Sequence, residues 1–219
     1  MNKLPIVILI SGRGSNMQAI LDRAARGELA VDVRAVISNK ADASGLVSAR
    51  AAGIHTEVLD HRDFGGREQY DSTLQHLIDR YQPALVVLAG FMRILTPAFV
   101  RHYQGRLINI HPSLLPAFRG LNTHQRALDA GATEHGASVH FVTEELDGGP
   151  VIVQSRVPVH PNDTADSLAA RVLHVEHALY PTAISWFAAG RLRFHAGSVI
   201  LDDQVLAQPV QLDCTVTKT

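Results

Sequence analysis

Ile6-Val7-Ile8-Leu9-Ile10-Ser11-Gly12-Arg13-Gly14-Ser15-Asn16 runs from an unbroken apolar segment through a glycine turn into a helical pattern. A short, continuously apolar run bounded by glycine reads as a strand buried on both faces. Such strands belong to parallel sheets covered by helices, which points to an α/β fold. The run is too short, and its flank too polar, for a secretory signal with a small-residue cleavage site. It is expected to be the first strand of a soluble, cytoplasmic protein. No run reaches the roughly 18 apolar residues of a spanning helix.

The same rhythm continues outward. Apolar runs at 33–38, 55–59, 85–89 and 106–110 alternate with helical patterns at 16–26, 44–52, 67–81 and 97–103. This is the β-α-β order of a parallel sheet with right-handed crossovers. Further strands are predicted at 138–143 and 151–159, and helices at 123–130 and 164–189. The turn Asp147-Gly148-Gly149-Pro150 separates the last two strands and predicts an antiparallel pair. The expected fold is α/β and Rossmann-like, mostly parallel in the first half and mixed with antiparallel strands in the second. Beyond about Arg193 the pattern is weak: a last strand or hairpin, with a frayed end at 215–219.

The chain has 219 residues, 46% of them hydrophobic, and a net charge of −1. That suffices for one large core, with one domain as the simplest count. The charge balance lacks the basic stripe of a nucleic-acid binder. One cysteine, Cys214, excludes an internal disulfide and fits a reducing compartment.

The glycine turn is not a dinucleotide fingerprint. The third glycine is replaced by Met17, and Ser38-Asn39-Lys40 stands where an acidic residue would end the second strand. The Walker pattern is absent as well. The backbone N–H groups of Gly14, Ser15 and Asn16 at a helix start suit a single phosphate. The alternative is that Ser15 caps the helix and the glycines only make the turn.

In Asn109-Ile110-His111-Pro112-Ser113-Leu114-Leu115-Pro116, strand alternation puts an amide and an imidazole on one face. Two donors aimed one way suit an oxyanion; a strand end with a surface histidine would look similar. The acidic segment Thr143-Glu144-Glu145-Leu146-Asp147, followed by two glycines, presents a carboxylate on a shaped loop able to orient and charge His111. Asp-Gly is also an ordinary turn dipeptide. The longest helix opens with an N-cap at Asp163 or Thr164 and carries the apolar stripe Ala169, Val172, Leu173, Leu179 and Tyr180, with Glu176 on it. A carboxylate on an apolar face is paired or functional, so it receives a ligand amine or forms a structural ion pair. His174 and His177 flank it, but their spacing alone does not make a metal site.

Together these segments, with Leu88-Ala89-Gly90-Phe91-Met92-Arg93-Ile94-Leu95 and His135-Gly136-Ala137-Ser138-Val139-His140, resemble the glycinamide ribonucleotide formyltransferases, a branch of the formyltetrahydrofolate-dependent formyltransferases. The resemblance runs to about Phe194. It implies a single domain, 1–219. Within it, about 1–105 would form a nucleotide-phosphate half and about 106–195 a catalytic and folate half, with a tail after about 195. It implies transfer of a formyl group from 10-formyltetrahydrofolate to the glycinamide amine in purine synthesis, without metal, by a monomer or homodimer. Carried over residue by residue, Asn109, His111 and Asp147 are the catalytic set. Gly14, Ser15, Asn16, Leu173, His174, Val175 and Glu176 hold the ribonucleotide. Arg67, Met92, Arg93, Ile94, Leu95, Asn109, Thr143, Glu144, Glu145, Leu146 and Asp147 line the folate. It also implies a cis bond at Leu115–Pro116.

One segment departs from this pattern. Phe118-Arg119-Gly120 is closer to the methionyl-tRNA formyltransferases, but the chain is too short and too little basic for their RNA-binding domain. A deformylase is expected to carry an N-terminal regulatory domain, for which the first strand at Ile6 leaves no room. A non-catalytic folate or nucleotide sensor has no need of oxyanion donors.

Overall fold

The computed structural model describes residues 3–214; the expected fraying at 215–219 lies outside them. Two compact units divide the chain. One runs to Asn109 and includes Val142–Glu144; the other holds Ile110–Phe141 and continues from Glu145.

The first unit contains β1 (Leu4–Ile10), α1 (Ser15–Ala25), β2 (Val31–Ser38), α2 (Gly45–Ala51), β3 (Thr56–Val58), a 3-10 turn (His61–Asp63), α3 (Arg67–Asp79), β4 (Leu85–Leu88) and α4 (Pro97–His102). It also contains the start of β5 (Leu107–His111), within which the division falls. The strand order β3-β2-β1-β4-β5 is parallel at every pairing. Alternate residues Val7, Leu9, Ala35, Ile37, Val86, Leu88 and Leu107 pack in one cluster with Tyr70, Leu74 and Ile78 of α3, Phe99 of α4 and Tyr103 just after it. The intervening Ile6, Ile8, Ile10, Val36 and Val87 are equally buried. Burial on both faces explains why these runs do not alternate with polar residues. Each such side chain contributes roughly 1.5–3 kcal/mol on leaving water. Thr96 caps α4, accepting the Phe99 N–H, and Pro97 follows at the first helical position, where no amide is needed.

The second unit contains α5 (Thr123–Asp129), β6 (Glu134–Phe141), β7 (Val151–Pro158), α6 (Ala165–Ala188), β8 (Leu192–His195), β9 (Ser198–Leu201), β10 (Gln204–Val205) and β11 (Val210–Gln211). β6 and β7 are antiparallel as expected, and α6 packs on both. β6 begins at Glu134 rather than at 138, because Gly136 lets the strands close: a Cβ there would lie 2.0 Å from the Ser155 carbonyl oxygen. The weakly patterned tail forms the antiparallel sheet β8-β9-β10 and then β11, which pairs parallel to β7. Two-residue strands carry too little alternation to be read from sequence. Thr164 is the N-cap of α6 and forms a reciprocal capping box with Ser167. The buried residues of α6 are Leu168, Val172, Val175, Glu176, Leu179, Tyr180, Pro181, Ala183 and Ile184, so Val172, Glu176, Leu179 and Tyr180 lie on the stripe as predicted. Ala169 and Leu173, predicted to lie on it, are only half-buried; Leu168 and Val175 take their places. Among the described residues no helix is long and apolar enough to cross a membrane.

Candidate active site

The glycine turn sits at the carboxyl end of β1, where open parallel sheets bind ligands. Gly14 is the N-cap of α1 in the left-handed conformation, φ 70°, with no side-chain cap. Ser15 is therefore the first helical residue and not the cap. The first N–H groups of α1 lack helical acceptors by construction, which keeps the anion-binding reading of Gly14, Ser15 and Asn16. The turn is braced by α2: Gly45 donates its N–H to the Gly12 carbonyl at 3.0 Å. A Cβ on Gly45 would lie 2.7 Å from Ile10 Cδ1.

Ser11, at the strand exit, donates its hydroxyl to Asn39 Oδ1 at 2.5 Å and accepts the Met92 N–H at 2.8 Å. Asn39 occupies the place of a dinucleotide fold's acidic residue and is spent inside the protein. The 92–95 segment is thus held at the ends of β1 and β4. Met92 and Ile94 are exposed there, whereas Leu95 packs against the core. Arg93 lies over the Tyr70 ring at 4.8 Å. Asp71 accepts the Thr96 N–H at 2.5 Å. Burial raises the Asp71 pKa, against the Thr96 bonds and the charges of Arg93 and Arg67. Arg67, Arg93 and the 92–95 segment therefore share one neighbourhood. Glu144 pairs with Arg101 at 2.7 Å.

His111 ends β5, two residues after the half-buried Asn109, so strand alternation holds as predicted. Its ring is buried. Nε2 faces the Phe118 carbonyl at 3.0 Å and Nδ1 faces Asp147 Oδ2 at 3.5 Å. Both nitrogens face oxygen acceptors. Asp147 Oδ2 also accepts the Gly120 N–H at 2.9 Å, and Oδ1 lies 3.8 Å from His140 Nε2. Asp147 adopts φ 48°, which turns its carboxylate back toward the two imidazoles.

Burial lowers the pKa of His140; the Asp147 carboxylate works against that, and the His111 charge adds to it. Burial also lowers His124, and it lowers His135 to about 4, where the neighbouring His124 and His111 add to the effect. His124 and His135 meet at 3.2 Å.

The segment after His111 is pinned from below. Ser138 donates to the Ser113 carbonyl at 2.7 Å and accepts the Leu115 N–H at 3.0 Å. Gln154 donates to the Leu115 carbonyl at 2.9 Å. The Leu115–Pro116 bond is cis. Glu145 pairs with Arg119 at the surface. Leu146 is exposed. A cavity of about 360 Å³ lies beside Asp147, walled by Leu115, Pro116, Val199 and Leu206.

Glu176 is buried on α6 with Val175, whereas Leu173 is half-buried and His174 exposed. Among the described residues no three His, Cys, Asp or Glu side chains form a metal-binding group. Sequence reasoning overlooked Ser11, Asn39, Ser138, His140 and Gln154. The signal for Ser138 and His140 was available: two polar residues at alternate positions of an apolar strand.

The model of the formyl transferase family matches residues 4–184. Phosphoribosylglycinamide formyltransferase of Escherichia coli K12 is 60% identical over 201 residues, covering 92% of this chain and 95% of that protein. The chicken trifunctional purine biosynthetic protein adenosine-3 is 42% identical over 192 residues, 88% of this chain and 19% of that protein. Among solved structures, phosphoribosylglycinamide formyltransferase of Coxiella burnetii superposes with a TM-score of 0.91 at 56% identity, covering 95% of this chain and 99% of that one.

Proposed function

The chain belongs to the formyl transferase family, and from that premise we propose how its residues carry the reaction. It transfers a formyl group to glycinamide ribonucleotide, giving formylglycinamide ribonucleotide, in purine biosynthesis. The donor in our reading is 10-formyltetrahydrofolate, and the reaction is placed in the cytoplasm. The observation that carries the reading is the buried His111 ring facing the Asp147 carboxylate at 3.5 Å.

The neutral amine of the ribonucleotide attacks the formyl carbon, and the carbonyl oxygen becomes an oxyanion. Asn109 donates to it from its amide. His111 donates from Nε2, where the oxyanion takes the place of the Phe118 carbonyl; catalytic bonds of this kind tighten only around the substrate. Asp147 stabilises the imidazolium through its negative charge. The attacking amine loses its proton, through water held by Asp147, to the folate nitrogen. The bond from that nitrogen to carbon then breaks. The oxyanion collapses to the new formamide, and no covalent enzyme intermediate forms.

Gly14, Ser15 and Asn16 hold the phosphate, and Leu173 to Glu176 line the acceptor side with Glu176 toward the amine. Arg67, Met92 to Leu95 and Thr143 to Leu146 line the folate. An assay of tetrahydrofolate formation, run with and without glycinamide ribonucleotide, tests the reading. Product is expected only with the ribonucleotide. Equal release in its absence would mean that water is the acceptor.

A further inference from the structure

We infer that Ser11 is a positioning residue whose hydroxyl couples the ribonucleotide and folate subsites. The inference rests on the reading that residues 14–16 hold the phosphate and 92–95 line the folate.

Ser11 is buried at the end of β1, and its N–H and its hydroxyl oxygen both bond to the 90–95 segment. Its N–H donates to the Gly90 carbonyl at 3.1 Å. Its hydroxyl oxygen accepts the Met92 N–H at 2.8 Å. Its hydroxyl proton goes to Asn39 Oδ1 at 2.5 Å. Asn39, itself buried, then directs Nδ2 toward His61 Nδ1 at 3.3 Å. The first two bonds run in one direction: Met92 N–H to Ser11, then Ser11 O–H to Asn39. Chains of this kind polarise each other in a low-dielectric interior.

Two consequences follow from this geometry. The glycine turn begins at the next residue, so a shift of Ser11 moves Gly14. The 92–95 segment hangs on the same oxygen, so the same shift moves Met92. A ligand that orders either segment therefore restrains the other through Ser11, and the second ligand meets a segment already held.

The test is the binding of glycinamide ribonucleotide by calorimetry, alone and with saturating tetrahydrofolate. In the natural chain tetrahydrofolate is expected to tighten ribonucleotide binding by about fivefold or more, the lower range of site coupling. In Ser11→Ala that ratio is expected to fall to near one. Ser11→Thr keeps the hydroxyl and is expected to retain the coupling. A purely structural role would lower the melting temperature, or both affinities, without changing the ratio. Circular dichroism melts accompany each variant. Should Ser11→Ala not fold, Ser11→Cys, which puts a weak sulfur acceptor in place of the hydroxyl, carries the same test. Unchanged coupling in the folded variant, or no coupling in the natural chain, overturns the inference. Failure of the natural chain to bind either ligand would instead sink the functional reading beneath it.

Discussion

The glycine turn of the first unit and the histidine cluster of the second solve different electrostatic problems with different materials. Around Gly14 the useful groups are backbone amides, fixed by a left-handed residue and by the close approach of Gly45. None of them titrates. Around His111 the useful groups are side chains: Asp147 and His140 beside it, and His124 and His135 in contact nearby. Most of them are buried, and their charges depend on one another. The first region is expected to fail through shape and the second through charge. A permanent dipole suits an anion that enters and leaves unchanged, as a phosphate does. A charge that appears only during reaction calls for groups whose protonation can be set.

The largest effects should therefore come from the second kind of group. Asn109→Ala is expected to lower kcat by roughly 10²–10³-fold, the usual loss for one oxyanion donor, with a much smaller change in folate affinity. Asp147→Asn keeps the shape and removes the charge. It should also cut kcat strongly while ribonucleotide binding survives. Steady-state kinetics with both substrates varied separates these outcomes. If ribonucleotide affinity fell in step with kcat in Asp147→Asn, the two regions would not be electrostatically distinct, and the contrast would break.

An intermediate effect follows from the histidine pair beside His111. His135 is 1% exposed, and burial with the neighbouring His124 and His111 lowers its pKa to about 4. Its unfolded value is about 6.5. The unfolded chain therefore binds the extra proton first, and stability falls as pH drops from about 6.5 toward about 4, levelling below that. The full loss for this one group is about 3 kcal/mol. Urea unfolding across that window is the measurement, and His135→Gln should flatten the dependence. The carboxylates held low by arginine, Asp60 by Arg62 and Asp163 by Arg171, lose their contribution only at still lower pH. An unaltered slope in His135→Gln would remove this pair from the account.

The parts of the molecule that sequence made legible are those with a period or a turn signal. β1 and β4 are continuous apolar runs, and α3 and α6 carry helical stripes, so their places followed from burial alone. Asn109 and His111 were paired by strand alternation, and Asp147 by the glycines beside it. What escaped was non-local. Nothing near Ser11 in the chain announces Asn39 or Met92, which the parallel sheet brings together only after folding. Ser138 and Gln154 likewise reach the 113–115 segment across strands. Phe118 at φ 53° places its carbonyl on His111, and no local rule assigns that conformation to a phenylalanine. The stripe on α6 was misread at Ala169 and Leu173 because both are apolar and the helix is apolar nearly all round. In such a helix, periodicity loses its contrast.

The smallest effect sharpens the contrast from the other side. Gly14 has φ 70°, and a Cβ there would sit 3.2 Å from Gly45 Cα and 3.1 Å from Met17 Cε. The methionine end can turn aside; the Gly45 backbone must move by a few tenths of an ångström. The left-handed conformation itself costs an alanine about 1–2 kcal/mol. Gly14→Ala is therefore expected to lower Tm by a few degrees. It should also raise the KM for ribonucleotide several-fold, because the first amides of α1 shift with the turn. No charge changes, and the His111 cluster is untouched. At saturating ribonucleotide, kcat should accordingly stay within about twofold of the natural chain, since only uniform binding is lost. A drop in kcat as large as that of Asn109→Ala would show that the glycine turn sets the geometry of reaction as well as affinity. The division between a region that acts by shape and one that acts by charge would then be false.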